Sequence, residues 1–172
     1  LLSAVEAGGL GVLMAPTEIL VQQHLENLRP LGNKVGVVVD ALTGRDKGKE
    51  RDRKLAALLE GKIHILIGTH AVFQSGVHFL DLRLAIIDEQ HRFGVRQRLA
   101  LGEKGQSVDV LVMTATPIPR SLALSQYGEM DLTVLTDKPA GRKPVKTVII
   151  SDNRVNEIVL KLKKAIDKKN QA

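Results

Sequence analysis

Five short apolar runs, at 10–15, 35–39, 63–67, 84–88 and 110–114, constrain the fold of this chain more than any other feature. Each is rich in β-branched residues, nearly unbroken in hydrophobicity and bounded by turn-forming residues. That is the pattern of strands covered on both faces. Helical segments separate most of them. In 17–28 the residues Leu20, Val21, Leu25 and Leu28 fall on one side, 53–60 ends at Gly61, and 96–104 and 120–127 are shorter helical candidates. Strand–helix alternation at this spacing predicts an α/β fold, a parallel sheet with helices on both faces.

The two ends read differently. Residues 1–7 look like the end of a helix closed by Gly8-Gly9, with no start signal before them. Within 155–166, Val155, Ile158, Val159, Leu162 and Ile166 form one apolar helical face, with Lys161, Lys164 and Lys168 opposite. No later segment is available to cover that stripe, so the chain is expected to be cut at both ends. The stretch Asp137-Lys-Pro-Ala-Gly-Arg-Lys-Pro144 reads as a linker, and 145–150 as a new strand. The predicted organisation is a lobe over 1–136, a linker over 137–144, and the first strand–helix unit of a second lobe over 145–172.

Composition excludes several functions. The absence of cysteine removes a disulfide scaffold, a zinc knuckle and a thiol nucleophile, and fits a reducing, cytoplasmic setting. No apolar run approaches the ~20 residues of a membrane helix. The aromatics are Phe73, Phe79, Phe93 and Tyr127, too few for recognition by extensive base stacking. The net charge of +6 hints at a polyanionic partner, yet residues 1–136 carry 15 Lys+Arg against 15 Asp+Glu. The excess lies after residue 136, where the counts are 10 and 4. Net charge is therefore no sign of nucleic-acid binding by the first lobe, and any such sign rests on the positions of its motifs and on local groups such as Arg92, Arg96 and Arg98.

In open parallel sheets ligands bind beyond the carboxyl ends of the strands. Four predicted strand ends carry polar groups: Pro16-Thr17, Thr69-His70, Asp88-Glu89-Gln90-His91 and Thr114-Ala115-Thr116. Asp88 and Glu89 form the strongest cluster. Adjacent carboxylates at a strand tip diverge, so one can hold Mg²⁺ through its water shell while the other polarises an attacking water. Direct ligation of a metal by Asp88, Glu89 and His91 is the weaker chemical alternative. The hydroxyls of Thr114 and Thr116, flanking Ala115, suit a relay between two sites. Thr116 before Pro117 also fits a helix N-cap, and both readings hold together. Thr17 is a helix N-cap candidate, and such a terminus also accepts a backbone phosphate. Phe93, set among Arg92, Arg96 and Arg98, is equally readable as a base-stacking residue and as a core residue under a basic loop.

The segments Met14-Ala-Pro-Thr-Glu-Ile-Leu20, Gly68-Thr-His-Ala-Val-Phe-Gln74, Ile87-Asp-Glu-Gln-His-Arg-Phe-Gly-Val95 and Thr114-Ala-Thr-Pro-Ile-Pro-Arg120 resemble, in order and spacing, motifs Ia, Ib, II and III of superfamily 2 helicases. Over essentially its whole length the chain resembles the RecG-type DNA helicases. It also resembles, less closely, the transcription-repair coupling translocase Mfd. The resemblance implies a RecA-like lobe, with ATP and Mg²⁺ as cofactors. Asp88 would bind Mg²⁺–ATP through water, and Glu89 would activate water. Gln90, His91, Thr114, Ala115 and Thr116 would couple nucleotide state to DNA contact. Pro16, Thr17, Thr69, His70, Arg92, Phe93 and Arg96 would meet DNA. The implied partners are branched or forked duplex DNA, a second helicase lobe and an N-terminal wedge domain.

No Gly-x-x-x-x-Gly-Lys-Ser/Thr phosphate loop occurs in the chain, and in the family it would lie just before Leu1. The expectation is a part of a DNA-remodelling motor that is inactive by itself. The alternatives are a lobe of a transcription-repair coupling translocase of the Mfd type and a degenerate, non-catalytic DNA-binding lobe.

Overall fold

The computed structural model describes residues 1–89, 104–105, 107–115, 131–136, 147 and 149–167. The chain divides into two compact units, 1–126 and 127–172.

The first unit is built on a five-stranded parallel sheet. Its strands are β1 (Leu10–Met14), β2 (Val39–Leu42), β3 (Ile65–Gly68), β4 (Leu82–Ile87) and β5 (Asp109–Val112), in the order β2-β3-β1-β4-β5. Helix α1 (Leu2–Glu6) precedes β1, α2 (Glu18–Lys34) joins β1 to β2, and α3 (Gly48–Leu59) joins β2 to β3. Together these form the predicted α/β architecture.

Side chains alternate across the sheet and divide the core. On one face Val12, Met14, Leu66, Ala85 and Ile87 pack with Leu58 of α3 and with Ala71, Val72 and Phe79. On the other, Leu13, Ile65, Ile67 and Ile86 pack with Val21 and Leu25 of α2. Burial on both faces explains why β1 and β3 read as unbroken apolar runs. Against β1, β4 carries one extra residue. Leu10 pairs with Leu82 but Gly11 pairs with Leu84, so Arg83 is a bulge. Its side chain bridges Asp81 Oδ2 (2.8 Å) and the Ala7 carbonyl (2.6 Å).

As predicted, α1 closes at Gly8-Gly9. Gly8 has φ 83°, and the N–H groups of Gly8 and Gly9 donate to the carbonyls of Val5 (2.9 Å) and Ala4 (3.0 Å). The second strand departs from expectation. The run at 35–39 is not a strand except for Val39, and β2 lies at Val39–Leu42 instead. Helix α2 continues past Leu28 and through Pro30 to Lys34, so 35–38 is consumed by its closing turn. There Gly36 adopts φ 72° and Val37 N–H donates to Gly32 C=O at 2.9 Å. Pro30 lies on the exposed side of α2, as does Glu26, whose carbonyl would otherwise accept from residue 30, so water can replace the missing bond. β2 accepts the polar Asp40 because it is an edge strand, where Arg29 meets Asp40 Oδ1 (3.3 Å). The predicted helices 96–104 and 120–127 fall almost wholly outside the described residues, as does the linker 137–144.

In the second unit, a short 3-10 turn (Asp152–Arg154) leads into α4 (Val155–Asp167), in agreement with the predicted terminal helix. Arg154 and Glu157 pair across its first turn at 2.7 Å. Thr147, Ile149 and Ile150 belong to no strand, contrary to the strand expected over 145–150. Ile149 is fully exposed, so its apolar character has no packed surface to answer it.

Candidate functional site

Parallel pairing determines where the strands stop. β1 and β3 end paired as Met14 with Gly68, β1 and β4 as Met14 with Ile87, and β4 and β5 as Ile87 with Val112. The ladder runs one step further. Ala15 N–H donates to Gly68 C=O (3.0 Å), Asp88 N–H to Met14 C=O (2.9 Å) and Met113 N–H to Ile87 C=O (2.8 Å). The four segments leaving these tips therefore start level. The register brings Pro16, Thr17, Thr69, His70, Asp88, Glu89, Thr114 and Ala115 to one edge of the sheet. Gln90, His91, Arg92, Phe93, Arg96 and Thr116 lie outside the described residues.

Asp88 and Glu89 are both partly buried at the tip of β4. Glu89 has φ 54°, in the left-handed region that residues with a Cβ seldom occupy, at a cost of about 1–2 kcal/mol. This conformation ends the strand abruptly and separates the course of Glu89 from that of Asp88. Asp88 is held by its surroundings. Its N–H is in the ladder, and its Oδ2 accepts from His24 Nε2 at 2.9 Å.

Thr17 has the extended backbone of an N-cap, and its Oγ1 accepts from Leu20 N–H at 3.3 Å. The capping role is thus filled, and the other amides of the first turn of α2 keep the anion-binding character of any helix start. Thr69 and His70 diverge in accessibility. Thr69 is 5% exposed, whereas His70 is exposed and opens the 3-10 turn His70–Phe73, anchored by the fully buried Ala71 and Val72.

Two features were not singled out in the sequence. One is His24. It lies three residues after buried Val21 and one before buried Leu25, so a polar ring sits on the inward face of α2, and that placement was its signal. The other is the tip of β2, hidden because the strand itself was misplaced. There Lys54 Nζ donates to Asp46 Oδ1 (2.6 Å) and to Ala41 C=O (2.8 Å), and Thr43 N–H donates to Asp46 Oδ2 (2.7 Å). Burial pushes the Asp46 carboxyl up, but the hydrogen bonds and charge of Lys54 and the Thr43 amide outweigh it and hold it below the usual range. A cleft of about 680 Å³ opens between α2 and β2. Among its charged groups Arg29 pairs with Asp40 (3.3 Å), Arg45 with Glu18 (2.5 Å) and Lys54 with Asp46 (2.6 Å), and neither Asp88 nor Glu89 lines it.

Among the described residues no three His, Asp or Glu side chains converge as a closed metal cage. Two adjacent carboxylates offer hard oxygen donors, which suits a Mg²⁺ ion that keeps most of its water. Among the described residues no helix is long and apolar enough to cross a membrane.

A profile of the DEAD/DEAH box helicases matches residues 1–124. The chain is 47% identical over 176 residues to the ATP-dependent DNA helicase RecG of Haemophilus influenzae, covering 99% of this chain and 25% of that protein. It is 48% identical over 172 residues to RecG of Bacillus subtilis, covering 100% of this chain and 25% of that one. It thus spans about a quarter of the length of the curated relatives it matches. A structure of RecG bound to a three-way DNA junction superimposes with a TM-score of 0.78 at 42% identity, over 94% of this chain and 21% of that one. The Mycobacterium smegmatis helicase Lhr, at 16% identity and a TM-score of 0.53 over 65% of this chain and 15% of that one, shares the fold. With the profile match running from α1 to beyond β5 and across all four strand tips, the chain belongs to the DEAD/DEAH box helicase family.

Proposed function

We propose that this chain is the first motor lobe, with the start of the second, of an ATP-dependent DNA helicase that remodels branched DNA such as stalled forks and Holliday junctions. The observation that carries this reading is the common level of the strand tips, which gathers two carboxylates, three threonines and a histidine along one edge. Its similarity over nearly the whole chain to RecG proteins, one of them bound to a three-way DNA junction, supports the substrate class. The proposed organisation is a lobe over 1–136, a linker over 137–144 and second-lobe sequence from 145. The proposed setting is the bacterial cytoplasm at the nucleoid.

Mg²⁺–ATP, when bound, supplies the reactive phosphoanhydride and neutralises its charge. Asp88 would hold the ion through its water shell, and Glu89 would take the proton of the attacking water. Thr114 and Ala115, one strand over, start level with this pair and with Thr17 and His70, so the tip of β5 is suited to pass nucleotide state to the DNA-facing groups. Gln90, His91 and Thr116 are assigned to the same coupling, and Arg92, Phe93 and Arg96 to DNA. The wedge domain and the second lobe are the partners within the full-length protein. The 172-residue chain has no phosphate-loop sequence, so alone it should neither hydrolyse ATP nor unwind DNA.

The test is DNA-stimulated ATPase of the full-length protein. Asp88→Asn and Glu89→Gln should each lower kcat by about 100-fold or more while branched-DNA binding stays within twofold. Wild-type activity in either variant refutes the assignment.

A further inference from the structure

We propose that His24 is a positioning residue for Asp88, a role that rests on the assignment of Asp88 above. The two residues are 64 positions apart, and no feature of their local sequence links them. Yet the His24 ring reaches from the inward face of α2 to the tip of β4, with Nε2 2.9 Å from Asp88 Oδ2. Both side chains are largely shielded, 26% and 21% exposed, so water competes weakly for this contact.

A carboxylate accepts and does not donate, so the hydrogen lies on Nε2 of His24. The bond addresses a specific weakness of aspartate. Its terminal torsion is broad and roughly two-fold, so a bare carboxylate at a strand tip samples many directions. The Asp88 N–H bond to Met14 C=O (2.9 Å) holds the backbone in place, and the bond from His24 to Oδ2 restrains the carboxylate about its own torsion. Oδ1 then has a defined direction for a metal-bound water. This is the logic by which supporting hydrogen bonds orient groups that hold a metal.

Both anchors return to the same connection. Met14 is the last residue of β1, and Ala15-Pro16-Thr17 joins it directly to α2, on which His24 lies. Asp88 is therefore held by both elements of one strand–helix unit, on either side of their connection. A shift of α2 along its axis would move the carboxylate through His24 while Met14 stayed in the sheet.

The test uses the full-length protein in two variants with unbranched replacements that a helix accepts. His24→Gln keeps an N–H donor near the position of Nε2, and His24→Met fills the space without one. The Mg²⁺ concentration giving half-maximal ATPase, kcat and branched-DNA affinity are measured for both, with Mn²⁺–ATP affinity followed by electron paramagnetic resonance as a readout besides turnover.

His24→Met should raise the half-saturating Mg²⁺ about tenfold and weaken Mn²⁺–ATP binding in parallel, with DNA affinity within twofold. His24→Gln should recover at least half of both effects. Identical metal dependence in the two variants, in a protein whose ATPase is abolished by Asp88→Asn, would overturn the role of His24 alone. A wild type whose ATPase survives Asp88→Asn would overturn both this role and the reading it rests on.

Discussion

Gly68 closes β3 immediately before Thr69 and His70, and it leaves no room for a side chain. A Cβ built there lies 2.4 Å from Val72 Cγ1 and 2.5 Å from the Leu42 carbonyl oxygen, against ordinary contacts of 3.4 Å and beyond. The valine can rotate. The carbonyl belongs to β2 and cannot move without opening the pairing of Leu42 with Gly68. Relief of an overlap of about 0.9 Å must therefore come from parting two strands at the tip that carries the proposed DNA contacts. Overpacking of this kind costs about 1–3 kcal/mol. Weakening one sheltered ladder bond adds about 1 kcal/mol. Gly68→Ala should thus destabilise the protein by about 3 kcal/mol, seen in urea denaturation as a lower midpoint with an unchanged slope. Gly76 is the control. It has no atom within 4 Å of a built Cβ and no positive φ, so Gly76→Ala should stay within about 0.5 kcal/mol of wild type. Equal midpoints for the two variants would refute the steric reasoning.

Two further outcomes follow from the site's surroundings. The Asp46 carboxyl is held below its usual range, so its ion pair with Lys54 stabilises the fold fully above the unfolded value near 3.8 and is lost as pH falls through the lower folded value. Asp46→Asn should cost about 2 kcal/mol at pH 7 and flatten the acid limb of a stability–pH curve below about pH 4, and a limb as steep as wild type would count against the pair. Thr17→Ala should remove about 1 kcal/mol by loss of the N-cap, whereas Thr17→Ser should retain it in thermal melts.

Much of this could be read from the chain because parallel strands buried on two faces leave a plain imprint. β1, β3 and β4 are legible from runs such as Ile65, Leu66 and Ile67, with nearly every position facing core. β2 was not legible, because edge strands need less burial. Val35 and Val38, which look like strand residues, are exposed around a helix end, while Asp40 sits in the ladder. The carboxylate pair was legible from its apolar strand and its acidic tip. Its support by His24 was not, since a contact across 64 residues leaves no local periodicity, and only the register of α2 shows that the ring turns inward.

The level strand tips also govern which changes in length the molecule can absorb. Each residue advances a strand by about 3.3 Å and reverses the face its neighbours present. Deleting one residue between Leu84 and Ile87 would draw Asp88 back by that distance and aim its side chain through the opposite layer. Connections such as 43–47 lie off this ruler and can lengthen or shorten without altering it. The one irregularity in β4 obeys the same constraint. The extra residue, Arg83, is taken up near the start of the strand, so the count from Leu84 to Asp88 stays in step with β1. Alignments of related chains should therefore place insertions in the loops and before Leu84, and almost none in the last four positions before a polar tip.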